Sequence, residues 1–289
     1  MSADGVGGVG AGDDRLGLGW WLAVPLPCAA LAAWVVGADL DTELVLRLNT
    51  WPATTGAPLW ANLTVLGDAA VAAALMLPFV GRNPRLVWAV LLATLLGVAA
   101  GELIGALVPR DRPPKVLGKE ALEIIGPRRK HDAFPSGHTT TIFLAVALWV
   151  RVVPQLGWRL LLVLLAVAVG TSRVVVGVHW PTDVLAGAAL GWCWGHLAWV
   201  LSGRWTGGLK RAGQLTTATI LLLAAASLYG DDSGFDELLP AQLAAASVGI
   251  LMGLPGWWRL VRGVSPDGRP PSPGGPPPAS PSSSGGPAG

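Results

Sequence analysis

Eight long apolar runs constrain this chain more than any other feature. They lie near Leu16–Val36, Trp60–Val80, Leu86–Val108, Thr139–Val153, Trp158–Val176, Val184–Leu201, Leu215–Tyr229 and Ala241–Trp258, and they carry few charges. A bilayer crossing takes roughly 20 apolar residues, and a helix is favoured there because it satisfies its own backbone N–H and C=O groups. The runs therefore predict an all-α, polytopic membrane helical bundle. Composition agrees: 52% of residues are hydrophobic and 13% charged, with a mean hydropathy of +0.54, which is too apolar for an ordinary soluble domain. Trp20, Trp21, Trp257 and Trp258 stand at run ends, where an interfacial aromatic belt would place them.

The expected organisation is a cytoplasmic N-terminal segment at 1–15, a six-helix core over 16–201, two additional transmembrane helices in 202–263, and a tail at 264–289. Pro, Gly and Ser dominate the tail, which cannot bury a core and is expected to be disordered. Met1–Asp14 holds Asp4, Asp13 and Asp14 and no basic residue, the wrong flank for a cleaved signal peptide, so the first run is expected to be retained. Cys28 and Cys193 both sit inside apolar runs, where a small hydrophobic role suits them and no disulfide framework is implied.

Basic residues give an orientation. With a cytoplasmic N-terminus, the inside segments hold Arg15, Arg82, Arg85, Arg151, Arg159, Arg204, Lys210, Arg211, Arg259, Arg262 and Arg269. The outside loop Asp231–Glu237 holds none. Apart from a dense basic loop over Arg110–Lys130, this is a positive-inside pattern. That loop and the segment around His179 then share the outer face.

Charged residues gather at these helix ends at a cost that calls for a function. Ser172, Arg173, His179 and Asp183 lie within twelve residues at the junction of two apolar runs, and upstream stand Arg112-Pro113 and Pro135-Ser136-Gly137-His138. A His four residues before an Asp, across a helix start marked by Pro181, lets a carboxylate hold one ring nitrogen while the other faces a substrate. Arg guanidinium groups supply forks that match phosphate oxygens. The constellation predicts a phosphate site. Few acidic residues lie near it, so no metal and no cofactor is expected.

At these residues the chain resembles the type 2 phosphatidic acid phosphatase (PAP2) superfamily of membrane lipid phosphatases. Its signature has three parts: Lys-x6-Arg-Pro, Pro-Ser-Gly-His, and Ser-Arg-x5-His-x3-Asp. The second is complete at Pro135–His138 and the third at Ser172, Arg173, His179 and Asp183. The first is half present as Arg112-Pro113, with Gly105 at the Lys position. The likeness covers roughly Asp39 to Leu201. It implies that His179 attacks phosphorus to form a phosphohistidine, that Asp183 orients His179, and that His138 protonates the leaving oxygen and then activates water. It also implies that Arg112, Arg173, Ser136 and the Gly137 N–H hold the non-bridging oxygens. The expected activity is a metal-independent lipid phosphate or diphosphate phosphatase at the outer leaflet of a bacterial cell membrane. Its partners would be a lipid phosphate or polyprenyl diphosphate substrate and the membrane, with no nucleic acid. A phosphotransferase using the same intermediate and a non-catalytic lipid-binding or transport protein are the alternatives.

Several residues stand outside these motifs. Arg110 is expected to replace the missing cation at Gly105 as a phosphate clamp, ahead of Lys115 and Lys119, and Glu102 lies one turn before Gly105 on α-helical spacing. Asp68, within an apolar run after Gly67, is expected to be functional or paired, with no partner named by the sequence. His131 is expected to be solvated or to cap its loop, and His196 to bond a neighbouring helix. Arg128-Arg129-Lys130 reads equally as a solvated loop or as an attractor of anionic headgroups.

Overall fold

The computed structural model describes residues 17–118, 120–126, 131–230 and 239–264. The N-terminal segment, Lys119, Arg128–Lys130, the acidic loop at 231–237 and the Pro/Gly/Ser tail from Ser265 lie outside the described residues. Among those described, helix is the only regular secondary structure, with no strand. The helices are α1 (Leu18–Leu22), α2 (Pro25–Gly37), α3 (Asp41–Leu48), α4 (Pro52–Thr55), α5 (Ala57–Val65), α6 (Ala69–Met76), α7 (Pro84–Leu107), α8 (Pro113–Val116), α9 (Gly137–Trp149), α10 (Leu156–Val175), α11 (Pro181–Arg204), α12 (Arg211–Ser227) and α13 (Leu239–Arg262).

Five helices among the described residues are long and apolar enough to cross a membrane: Leu18–Gly37, Pro84–Leu107, Leu156–Val175, Pro181–Arg204 and Pro240–Arg262. A sixth span arises if α5 and the following Ala69–Phe79 helix count as one, although they meet at a bend of 63°. Each of the eight apolar runs thus holds helix, but α9 has only 13 residues and α12 only 17. At 1.5 Å rise per residue, α9 extends for about 20 Å, short of a hydrocarbon core about 30 Å thick.

The bend accounts for Asp68. Its Oδ1 accepts the N–H groups of Ala70 at 2.8 Å and Val71 at 3.2 Å, capping α6 where the chain breaks. The partners of this polar residue are therefore backbone donors left over at a helix start. Gly67, beside it, touches the start of α9: a Cβ there would stand 2.8 Å from the His138 carbonyl oxygen and 2.9 Å from the His138 Cβ.

Two rows of glycine bring helix backbones close together. On α11, a Cβ at Gly187, Gly191 or Gly195 would lie 2.7, 2.2 or 2.7 Å from a backbone oxygen of α9 or of the residue before it: Ser136, Thr140 and Leu144 respectively. Four-residue spacing puts these glycines on one face, and the lack of side chains lets the two backbones approach. On α13, Gly249, Gly253 and Gly256 do the same against Ala74, Leu77 and Val80, with a Cβ at Gly256 only 2.1 Å from the Val80 oxygen. α13 is thereby seated on the end of α6 and the turn that follows it. The apolar core fills the gaps between helices, with Leu86, Val90 and Ala93 of α7 meeting Leu148, Trp199 and Leu221, and Ile142, Phe143 and Val146 of α9 meeting Ala166, Val169 and Trp192.

Away from the motif end, His196 is fully buried and accepts at Nδ1 from the Arg151 Nε at 3.2 Å, so its bond runs to the chain just after α9. Short α3, α4 and α8 were not visible as apolar runs. Just beyond α3, the Asn49 amide donates to the carbonyls of Glu123 at 2.8 Å and Val175 at 2.7 Å, and accepts the Glu123 N–H at 2.8 Å. It ties the loop at 120–126 to the end of α10.

Candidate active site

His179 sits in the turn between α10 and α11, and the backbone shapes that turn. The N–H groups of Val178 and His179 both donate to the Arg173 carbonyl, at 3.3 and 3.2 Å. Gly177 adopts φ +79, and a Cβ there would meet the Asn49 Nδ2 at 3.1 Å and the Ile124 Cδ1 at 3.0 Å, so both conformation and space favour glycine. Pro181 opens α11, and Asp183 follows in its first turn. The Asp183 Oδ2 accepts the Trp180 N–H at 2.9 Å, fixing the carboxylate at the helix start.

Two helix starts meet here. The Ser136 N–H donates to the Asp183 carbonyl at 3.1 Å, joining the head of α9 to the first turn of α11. Ser136 is buried, with its hydroxyl accepting from the Thr139 hydroxyl at 2.9 Å, while Gly137 is exposed and opens α9. The first N–H groups of a helix have no partner inside it, which makes such a terminus hospitable to an anion. His138 is half-buried in that same turn.

The polarity of His179 follows from its neighbours. Arg112 Nη1 stands 3.1 Å from the His179 Nε2. A guanidinium only donates, so Nε2 holds the lone pair and the ring proton sits on Nδ1. Nδ1 faces the Asp183 Oδ2 at 3.5 Å, longer than a hydrogen bond, with both side chains almost fully buried. Burial pushes the His179 pKa well below the usual histidine range, and the nearby charges of Arg112, Arg173 and His138 push it further down. The imidazole is neutral at neutral pH, with its lone pair directed at a cation.

Arg112 is held by three backbone carbonyls: His131 at 2.8 Å, Asp132 at 2.9 Å and Val178 at 3.2 Å. Arg173 points back to α5, where Nη1 donates to the Thr64 hydroxyl. The structure thus brings His179, Asp183, Arg112, Arg173, Ser136 and His138 to one end of the bundle.

Arg110 is placed differently from the expected phosphate clamp. Its Nη1 donates to the Asp183 Oδ1 at 2.8 Å and to the Thr182 hydroxyl at 2.6 Å, and its Nη2 to the Asp41 Oδ2 at 2.6 Å. Two carboxylates therefore engage the guanidinium, because α3 and the α11 start converge on it. Lys115, a second candidate to replace the missing cation, is exposed and bonded to Asp111 at 2.8 Å. His131 is also exposed and bonds Asp111, at 3.0 Å, rather than its chain neighbour. Lys115 and His131 together hold the Asp111 pKa below the usual carboxylate range, the Lys115 hydrogen bond being the largest cause. Glu102 is exposed. A Cβ at Gly105 would lie 3.4 Å from the Phe134 oxygen.

Asp41, Thr64, Gly67 and Thr182 belong to the site's surroundings and escaped the reading of the sequence. Each sits outside the three motifs or between their defining positions, and only tertiary packing brings it in. Among the described residues, no three His, Cys, Asp or Glu side chains converge as a metal-ligand set.

Residues 86–206 match the PAP2 superfamily. A lipid A 1-phosphatase of Rhizobium etli is 40% identical over 60 residues, which cover 21% of this chain and 25% of that protein. An undecaprenyl-diphosphatase of Sulfolobus acidocaldarius is 29% identical over 110 residues, covering 38% of this chain and 52% of that one. The chain thus spans about half the length, or less, of these curated relatives. The crystal structure of Aquifex aeolicus LpxE superposes with a TM-score of 0.50 at 23% identity, over 57% of this chain and 95% of that one, and so shares the helical fold.

Proposed function

We propose, from the match of residues 86–206 to the PAP2 superfamily, that this chain is an integral-membrane lipid phosphate or diphosphate phosphatase working through a phosphohistidine. The observation that carries the reading is the buried His179, whose Nε2 stands 3.1 Å from the Arg112 guanidinium. A phosphoryl group bound to Arg112 and Arg173 would present its phosphorus to that nitrogen. Nε2 forms the N–P bond while the P–O bond to the lipid breaks, and the proton of His138 goes to the leaving oxygen. Water then attacks phosphorus as His138 takes a proton back, the N–P bond breaks, and inorganic phosphate leaves. Asp183 stabilises the positive charge that develops on the ring. Phosphoryl transfer needs mainly positioning and charge neutralisation, which fixed guanidinium groups supply.

Undecaprenyl diphosphate heads the substrate panel, followed by lipid A, phosphatidylglycerol phosphate and phosphatidic acid. Purified protein in detergent should release phosphate from at least one of them. Product that appears only on an added alcohol, with no free phosphate, would make the protein a transferase instead. EDTA should leave turnover within about two-fold of the untreated rate, while orthovanadate, a trigonal-bipyramidal mimic, should inhibit it. Activity lost to EDTA and restored by one divalent ion would overturn the metal-free chemistry.

The proposed location is a bacterial cell membrane with the site on the extracytoplasmic side, supported by the distribution of basic residues. In a Cys28→Ser/Cys193→Ser background, Ala121→Cys should react with an impermeant maleimide on intact cells. Thr206→Cys should react only after permeabilisation. Both positions are exposed. The reverse pattern would put the site in the cytoplasm.

A further inference from the structure

We infer that α3 is a positioning element of the site, and that Asp41 and Arg110 act on the reaction through Asp183 without touching the substrate. This rests on the phosphatase reading above. Asp41 lies about 140 residues from the motif it contacts. Its Oδ1 accepts the Thr182 N–H at 3.1 Å, and its Oδ2 accepts the Thr182 hydroxyl at 2.6 Å and Arg110 Nη2 at 2.6 Å. Thr182 in turn accepts from Arg110 Nη1 at 2.6 Å, so its one hydroxyl proton is committed to Asp41. The Arg110 guanidinium also lies 5.2 Å from the centre of the Trp180 ring.

The consequence falls on the plane of one carboxylate. The Asp183 Oδ1 is bound by Arg110 at 2.8 Å and Oδ2 by the Trp180 N–H at 2.9 Å. With both oxygens held, Oδ2 is the one that faces the His179 Nδ1. Without Arg110 the carboxylate could turn about its bond, and an uncompensated charge would remain where Asp183 is fully buried. Asp41 does two things at once: it draws Arg110 into place and binds the second residue of α11. What sets Arg110 apart from Arg112 is the charge of its partners: its terminal nitrogens serve the carboxylates of Asp41 and Asp183, which offset its charge, whereas Arg112 bonds neutral backbone carbonyls and the His179 ring.

The test is a set of variants assayed on the best substrate of the panel. Asp41→Asn, which keeps the shape and drops the charge, should lower kcat by about 10-fold to 100-fold with KM within about three-fold. Arg110→Ala should lower kcat by about 100-fold or more, with partial recovery in Arg110→Lys. In an Asp183→Asn background, Arg110→Ala should cost less than about three-fold further, because the residue it acts through is already altered. A full loss in that background, or a rise in KM with kcat unchanged, would show that Arg110 binds the phosphate directly and would overturn the inference. Thermal unfolding separates a structural role: if Asp41→Asn loses activity only in proportion to folded protein, the positioning role is wrong. A wild-type protein that turns over no lipid phosphate fails the phosphatase reading instead. The nitrogen-15 spectrum of the His179 ring then still decides, since Asp41→Asn and Arg110→Ala should both move the Nδ1 resonance in the direction that Asp183→Asn moves it. No movement in either would refute the coupling.

Discussion

A His179→Ala variant should lose at least about 10⁴-fold in phosphate release while remaining folded, the scale expected when the nucleophile of a covalent mechanism is removed. The side chain is buried, so its removal leaves a small cavity, but its neighbours are held by backbone contacts that do not depend on the ring: Val178 and His179 N–H to the Arg173 carbonyl, and Arg112 to three carbonyls. Wild type, quenched during turnover of a radiolabelled substrate, should yield an acid-labile, base-stable phosphoprotein that His179→Ala lacks. Retained turnover in the variant would end the proposed mechanism. The depressed pKa of His179 adds a pH signature. Because the folded ring resists protonation, the nucleophile survives below the ordinary histidine value of about 6.5. In the unfolded chain the same ring takes up a proton at about that value, so folding stability from this residue is present above pH 6.5 or so and is lost as pH falls toward the lower folded value. Melting temperatures in detergent should decline across that acidic window, and less so in His179→Gln.

The second large effect is expected at Gly191, far from any chemistry. A Cβ there would lie 2.2 Å from the Thr140 oxygen and 3.0 Å from the Leu144 nitrogen, both backbone atoms that cannot swing aside. Gly191→Leu should therefore force α11 off α9 and destabilise the protein by about 3 kcal/mol or more, lowering its melting temperature by roughly 10 °C. Turnover should fall further than stability alone explains, because α9 carries His138 and α11 carries Asp183. Gly101→Ala is the control: nothing lies within 4 Å of a Cβ at that position, and alanine favours a helix by up to about 1 kcal/mol over glycine. A Gly191→Leu protein with wild-type melting and turnover would mean that the two helices do not meet as described.

The bundle was legible in the sequence because apolar run length reports directly on bilayer crossing. Each run contains helix, and the motif ends His138, Arg173 and His179 arrive together as their positions at run ends imply. Legibility failed where a short segment carries both charge and apolar residues. Asp41-Thr42-Glu43-Leu44-Val45-Leu46-Arg47-Leu48 is α3, yet nothing in it is long or apolar enough to stand out. The contacts of Arg110 were hidden for a related reason. Its nearness in sequence to Arg112 suggested a shared task, whereas the side chains part, Arg112 toward His179 and Arg110 toward Asp41. The bend at Gly67-Asp68 hid inside a continuous apolar run, since a cap formed by one carboxylate leaves hydropathy almost unchanged.

The seating of α13 on α6 bears on where this protein could be cut. Gly249, Gly253 and Gly256 lie against the backbone of Ala74, Leu77 and Val80. α6 in turn hangs from the Asp68 cap, next to the Gly67 that rests on His138. A chain trimmed to residues 86–206 would lose Asp41, Thr64, Gly67 and the whole of that buttress. The smallest portion able to hold its histidines in register is thus larger than the segment that carries the motifs. Grafting the motif segment alone onto another helical scaffold should transfer the residues without their geometry.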